Sequence, residues 1–246
     1  SLSLPSLHPP PPLTALSLSL LSSLSLSFSF LRKWADAMRA TRPDYFERLV
    51  ATQAPEFLWI GCADSRVPAN EILGLAPGEV FVQRNVGNLA VPRDMNAMAC
   101  LEYAVDVLKV KHVIVCGHYG CGAVKGALEL PAAAGGFVAH WISDIRATRD
   151  RHAAALRGLP SQTARWDRLC ELNVVHQVFN VTLAPIIQAA WARGQGVAVH
   201  GLVYSLADGL LKEVCSPIAC GADMEAAAAQ AEAAAVAGDE SDAMQG

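Results

Sequence analysis

Four short and nearly unbroken apolar runs divide this chain: FLWIG at 57–61, EVFVQ at 79–83, HVIVCG at 112–117 and VAVHGLVY at 197–204. Runs of this length suit strands buried on both faces. The segments between them have helical spacing. NAMACLEYAVDVLKV at 96–110 carries apolar residues at 98, 101, 104, 105 and 108, which lie on one helical stripe. Further helices are expected from about Ala123 to Leu130 and across 139–157 and 165–193. RPDYFERLVATQ at 42–53 reads as another, with Pro43 in its first turn. Strands alternating with helices predict an α/β fold with a mostly parallel central sheet flanked by helices. In such sheets, binding sites form beyond the carboxyl ends of the strands.

The two ends of the chain have a different texture. Residues 1–30 are Ser/Leu/Pro-rich, with no charged side chain before Arg32, and are expected to be a disordered or targeting leader. The segment is long enough to cross a bilayer, but seven serines between Leu13 and Leu31 argue against a membrane span. It also lacks the basic start of a secretion signal, so the protein is expected to be intracellular, in the cytoplasm or an organelle such as a plastid or mitochondrion. A folded domain is expected over 31–221 and an Ala-rich acidic tail over 222–246. A net charge of −4 gives no basic field for nucleic acid. Seven cysteines without framework spacing point to free or metal-bound thiols rather than disulfides.

Two of the expected strands run into chemistry. FLWIG is followed by CADSR at 62–66, and HVIV by CGHYGCG at 116–122. Both strand tips face the same edge of a parallel sheet. Cys62, Asp64, His118 and Cys121 together supply two thiolates, a carboxylate and an imidazole, the donor set of a zinc site. The glycines around His118 lack the G-x-G-x-x-G spacing of a dinucleotide loop. The remaining histidines and cysteines have no partner at ligand spacing and are read as structural or exposed.

At these residues the sequence resembles the β-class carbonic anhydrases. CADSRVP, RNVGN at 84–88, EYAV at 102–105 and GHYGCGAV at 117–124 carry the resemblance, which runs from about Leu31 to Leu211. FLWIGCADSRVPA and CELNVVHQVFNV at 170–181 look most like the bacterial-type branch. The resemblance implies reversible hydration of carbon dioxide to bicarbonate, with one Zn²⁺ per chain on Cys62, His118 and Cys121. Asp64 would be the fourth ligand in a closed state and would pair with Arg66 in the active one, Asp64 and Arg66 forming a catalytic dyad. Two thiolates place more negative charge on the metal than imidazoles do, so turnover is expected to rise with pH.

The resemblance also implies a substrate pocket of Gln53, Phe81, Val86, Tyr103 and Gly122. Some of those walls would come from a neighbouring subunit, in a homodimer or a dimer of dimers. Trp59, Arg84 and Tyr204 would bind a second, regulatory bicarbonate. Asn70 departs from the pattern, standing where an acidic residue is common. Two alternatives stand beside this reading: a zinc hydrolase of the same fold acting on carbonyl sulfide or carbon disulfide, and a non-catalytic zinc-folded interaction module.

Overall fold

The computed structural model describes residues 30–130 and 135–229. The leader up to residue 29 and the acidic tail from residue 230 lie outside the described residues, as do the expectations placed on them. The chain divides into two compact units at Thr52 and Gln53. In the first, helix α1 spans 30–41 and α2 spans Tyr45–Ala51. Trp34 meets Tyr45 and Phe46 edge to face at 6.5 and 6.0 Å, and Arg39 lies over the Phe46 ring. Pro43 sits in the turn that precedes α2, not inside it, with Asp44 at the N-cap position.

In the second unit the four expected strands all form. They are β1 (Phe57–Cys62), β2 (Val80–Asn85), β3 (His112–His118) and β4 (Ala198–Tyr204). Interleaved with them are α3 (Ala69–Leu73), α4 (Met95–Glu102), α5 (Gly122–Glu129), α6 (Phe137–Trp141), α7 (Ser143–Arg151), α8 (Ala153–Arg157), α9 (Gln162–Thr182) and α10 (Pro185–Ala192). A fifth strand, β5 (Leu211–Ile218), and a last helix, α11 over 221–229, complete the described residues. The sheet order is β2-β1-β3-β4-β5, with the first four strands parallel and β5 antiparallel to β4. Among the described residues no helix is long and apolar enough to cross a membrane.

Three expected helices are broken, each at an identifiable residue. The stripe over 96–110 is α4 followed by a wider turn, Tyr103–Val107, closed by a bond from the Leu108 N–H to the Tyr103 carbonyl. The 139–157 stretch divides at Ile142 and His152 into three short helices. The 165–193 stretch breaks before Pro185, which forces Ala184 into extended backbone and then starts α10.

One sheet face packs Leu58, Ile60, Val113, Val115, Val199 and Val203 under α4, α9 and α10. The other face packs Trp59, Ile114 and Cys116 against Val67 and Ala69. Gly117 on β3 lets α9 come close, because a Cβ there would stand 2.7 Å from Val174. A third apolar cluster lies at the carboxyl edge of the sheet, where α5, α7 and the first half of α9 bury Leu89, Val124, Ile145 and Leu169. The two cysteines singled out in the sequence, Cys62 and Cys121, belong to that third cluster.

Candidate metal centre

β1 and β3 are adjacent and in parallel register, Gly61 facing Cys116, so their tips end side by side. Cys62 is the last residue of β1 and His118 the last of β3. Cys121 occupies the N-cap position of α5, three residues further on. All three side chains are buried, and their ligand atoms lie within 4.8 Å of one another. The sulfurs of Cys62 and Cys121 are 3.9 Å apart, and both cysteines are free. Two sulfurs bound to one tetrahedral zinc at ordinary Zn–S distances stand roughly 3.8 Å apart, so the spacing fits a shared metal.

The imidazole is oriented by its other nitrogen. His118 Nδ1 donates to the Tyr119 carbonyl at 3.0 Å, which leaves the Nε2 lone pair facing the thiols. His118 is fully buried and its Nε2 has no hydrogen-bond partner among the described residues. A buried acceptor without a partner is costly. A cation between Nε2 and the sulfurs removes that cost.

The thiols are prepared for the same occupant. Cys62 is drawn well below the usual thiol range because the Cys121 S–H donates to it; burial opposes this, while the N–H groups of Gly87 and Asp64 assist. Cys121 is driven upward because it gives that hydrogen bond and because it is buried. The pair thus gives up its first proton more readily than its second, and a metal bound by both sulfurs would displace both.

Asp64 is committed to Arg66. Its Oδ1 accepts from the Arg66 backbone N–H at 3.0 Å and Nε at 2.9 Å, and its Oδ2 accepts from Nη2 at 2.7 Å. Arg66 holds the carboxyl well below the usual carboxylate range against a modest opposing effect of burial. Asp64 Oδ2 still lies 3.7 Å from His118 Nε2, so the carboxylate borders the donor cluster. Arg84 anchors the same tip, donating from Nε to the Cys62 carbonyl at 2.9 Å and from Nη2 to the Asp64 carbonyl at 2.5 Å.

Of the pocket residues, Phe81 and Tyr103 come together, with ring centroids 5.7 Å apart. Val86 and Tyr103 remain 42% and 43% exposed, and Gln53 and Gly122 are exposed as well. Trp59 and Tyr204 share the apolar cluster of the opposite sheet face, and the buried Trp59 Nε1 has no partner among the described residues. Arg84 stands beside Gly61 in register and keeps its guanidinium on the two carbonyls of the strand tip.

Sequence reasoning missed the brace on the loop that carries Val86. Trp141 Nε1 donates to the Val86 carbonyl at 2.6 Å, Asn173 to Gly87, and the Ala90 N–H donates to Gln177. Gly87 has a φ of +85°, and a Cβ there would press on Ile145 and Ala123. The buried Asn173 and Gln177 were the available signal, since polar residues on the inner face of a helix need partners.

A family model described as carbonic anhydrase matches residues 57–211. A carbonic anhydrase of Emericella nidulans is 42% identical over 187 residues, 76% of this chain and 81% of that protein. One from Pseudomonas aeruginosa is 38% identical over 190 residues, 73% of this chain and 82% of that protein. Among solved structures, a Coccomyxa β-carbonic anhydrase in complex with acetazolamide shares 52% identity with a TM-score of 0.78, covering 82% of this chain and 91% of that one. A tetrameric β-carbonic anhydrase from Sordaria macrospora shares 38% with a TM-score of 0.74, covering 80% of this chain and all of that one. With the parallel sheet, the paired strand tips and these relatives in agreement, the chain belongs to the β-carbonic anhydrases, enzymes that hydrate carbon dioxide reversibly to bicarbonate and a proton.

Proposed function

We propose that Cys62, His118 and Cys121 hold one Zn²⁺ per chain and that Asp64 and Arg66 govern access to it. The observation that carries this reading is a buried Cys-His-Cys group beside a carboxylate turned onto an arginine. Zinc held there would supply a Lewis acid that acidifies water for attack on carbon dioxide. Asp64, kept anionic by Arg66, can only accept hydrogen bonds, so it orients any donor at the edge of the cluster. Released from Arg66, the same carboxylate, whose Oδ2 already lies 3.7 Å from His118 Nε2, could turn onto the cluster and close the site.

Gln53, Phe81, Val86, Tyr103 and Gly122 form the substrate pocket in this reading. The exposure of Val86 and Tyr103 supports walls completed by a second copy, in a homodimer or a dimer of dimers. Trp59, Arg84 and Tyr204 form a regulatory bicarbonate site of the bacterial type. The unpartnered Trp59 N–H supports that assignment, while the commitment of Arg84 to two carbonyls weighs against it. Asn70 donates to the Ala76 carbonyl, a bond an acidic residue could not make. We place the enzyme inside the cell, in the cytoplasm or an organelle; an Arabidopsis relative 32% identical is described as mitochondrial.

Stopped-flow hydration of carbon dioxide, with zinc quantified on the same sample, tests the assignment. Carbonyl sulfide and carbon disulfide run in parallel separate the alternative substrates. Zinc-loaded protein without carbon dioxide turnover would sink the proposal.

A further inference from the structure

The hydrogen bond that aims His118 ends on a backbone carbonyl, that of Tyr119. A carbonyl orients its donor only as firmly as its own peptide is held. Tyr119 is held at both ends. Its N–H donates to the Tyr204 carbonyl at 3.0 Å. Its phenol O–H donates to Glu171 Oε1 on α9 at 2.7 Å. Lys212 of β5 donates to that same oxygen at 2.7 Å and lies 3.4 Å from the phenol oxygen. Arg168 donates to Glu171 Oε2 at 2.9 Å. The Glu171 side chain is only 13% exposed, whereas Lys212 and Arg168 are 60% and 45% exposed.

We propose that Glu171 is a positioning residue for the metal histidine. It fixes Tyr119 between the end of β3, α9 and β5, and Tyr119 in turn fixes the carbonyl that sets the His118 ring. The inference rests on the zinc assignment above and concerns its strength. A lysine–glutamate pair on its own could tie β5 to α9. The phenol inserted between them, on the residue next to a ligand, directs that tie at the metal site. The group bonded directly behind a ligating histidine typically changes metal affinity by about 10- to 100-fold, and Glu171, one residue further back, should act at the lower end of that range.

The test is the rate at which native zinc-loaded protein releases zinc to a chelator. Glu171→Ala should release it about tenfold faster or more. Tyr119→Phe should also accelerate release, and Glu171→Gln, whose amide oxygen still accepts from the phenol, should stay nearer wild type. Val181→Ala, a buried change further along α9, should lower thermal stability and leave release unchanged. Visible absorption of the cobalt-substituted proteins should shift for Glu171→Ala and Tyr119→Phe and not for Val181→Ala. Folded Glu171→Ala with wild-type release and an unshifted cobalt spectrum overturns the positioning role. So does Glu171→Gln behaving like Glu171→Ala. If Glu171→Ala does not fold, Tyr119→Phe decides by the same two readouts. A wild-type protein that takes up no zinc sinks the metal assignment instead, and this inference with it.

Discussion

His112 and His118 stand at opposite ends of the same strand and could hardly be treated more differently. His112, half-buried at the start of β3, is engaged through one ring nitrogen and through its ring face. Its Nδ1 is 3.0 Å from His200 Nε2, and its ring stacks on Phe57 with centroids 5.4 Å apart. His118 is fully buried, uses one nitrogen on a backbone carbonyl and leaves the other facing two sulfurs. A satisfied histidine is structure. A histidine with one nitrogen fixed and the other orphaned in a thiol-lined site has an acceptor to offer a metal, as proposed above. The cysteines repeat the contrast. Burial alone pushes the Cys100 thiol up to about 11, and burial, with minor contributions, takes Cys170 to about 12, whereas Cys62 is drawn down by its neighbours.

The largest effect should come from breaking the ligand end of the comparison. Cys121→Ser or His118→Ala should leave less than about a tenth of the wild-type zinc and destabilise the protein, since metal binding is also folding energy. His112→Ala, at the other end of β3, should keep full zinc content and turnover. Metal analysis of the three variants decides, and equal zinc loss from His112→Ala would erase the distinction. The next effect separates holding metal from using it. Asp64→Ala should retain zinc, because Cys62, His118 and Cys121 remain, yet lose about a hundredfold or more in turnover. Near wild-type turnover in that variant would show that Asp64 and Arg66 do no more than cap a turn.

How much of this was readable in advance depended on how locally it was encoded. The proposed site was legible because Cys62 and Asp64, and His118 and Cys121, are close neighbours in sequence and follow apolar runs that could hardly be anything but strands. The parallel sheet was legible for the same reason. β5 was not, because LKEVCSPI carries a proline and is mostly solvent-facing at the sheet edge, so it lacks an apolar signature. The Tyr119–Glu171–Lys212 brace joins residues 52 and 41 positions apart and has no local pattern. The helix breaks at Ile142 and His152 likewise have no local signal. Only the one at Pro185 was marked by a residue that cannot continue a helix.

Two smaller tests sharpen the contrast between polar groups with and without partners. The Trp59 N–H is orphaned in an apolar cluster, as His118 Nε2 is among the sulfurs. If it serves a regulatory bicarbonate, wild-type enzyme should be inhibited non-competitively, and Trp59→Phe should weaken that inhibition about fivefold or more. Identical inhibition curves would leave the indole as packing. The smallest effect belongs to the satisfied pair. Burial, then the neighbouring His112, lowers the His200 pKa, so the fold prefers it neutral. As pH falls below the ordinary histidine value near about 6.5, the unfolded chain takes the proton first. Stability should therefore decline from there down to the lowered folded value, then level off. His200→Gln should remove that decline, by about 2 °C in a thermal melt at pH 5.5. A variant melting curve with the same acid-side slope would acquit His200.

Of the three proposed ligands, His118 and Cys121 are neighbours on one strand tip, whereas the two cysteines are 59 positions apart. A metal that ties Cys62 to Cys121 is therefore a crosslink around a long loop, and the loop contains β2, α4 and the whole of β3. Closing a loop of that size in the unfolded chain costs about 4 kcal/mol by the chain-entropy argument used for disulfides. Parallel pairing of β1 with β3 has no short hairpin to enforce it, so a metal held as proposed would act as the clasp that the topology lacks. A chelator should consequently act on this enzyme as a denaturant as well as an inhibitor.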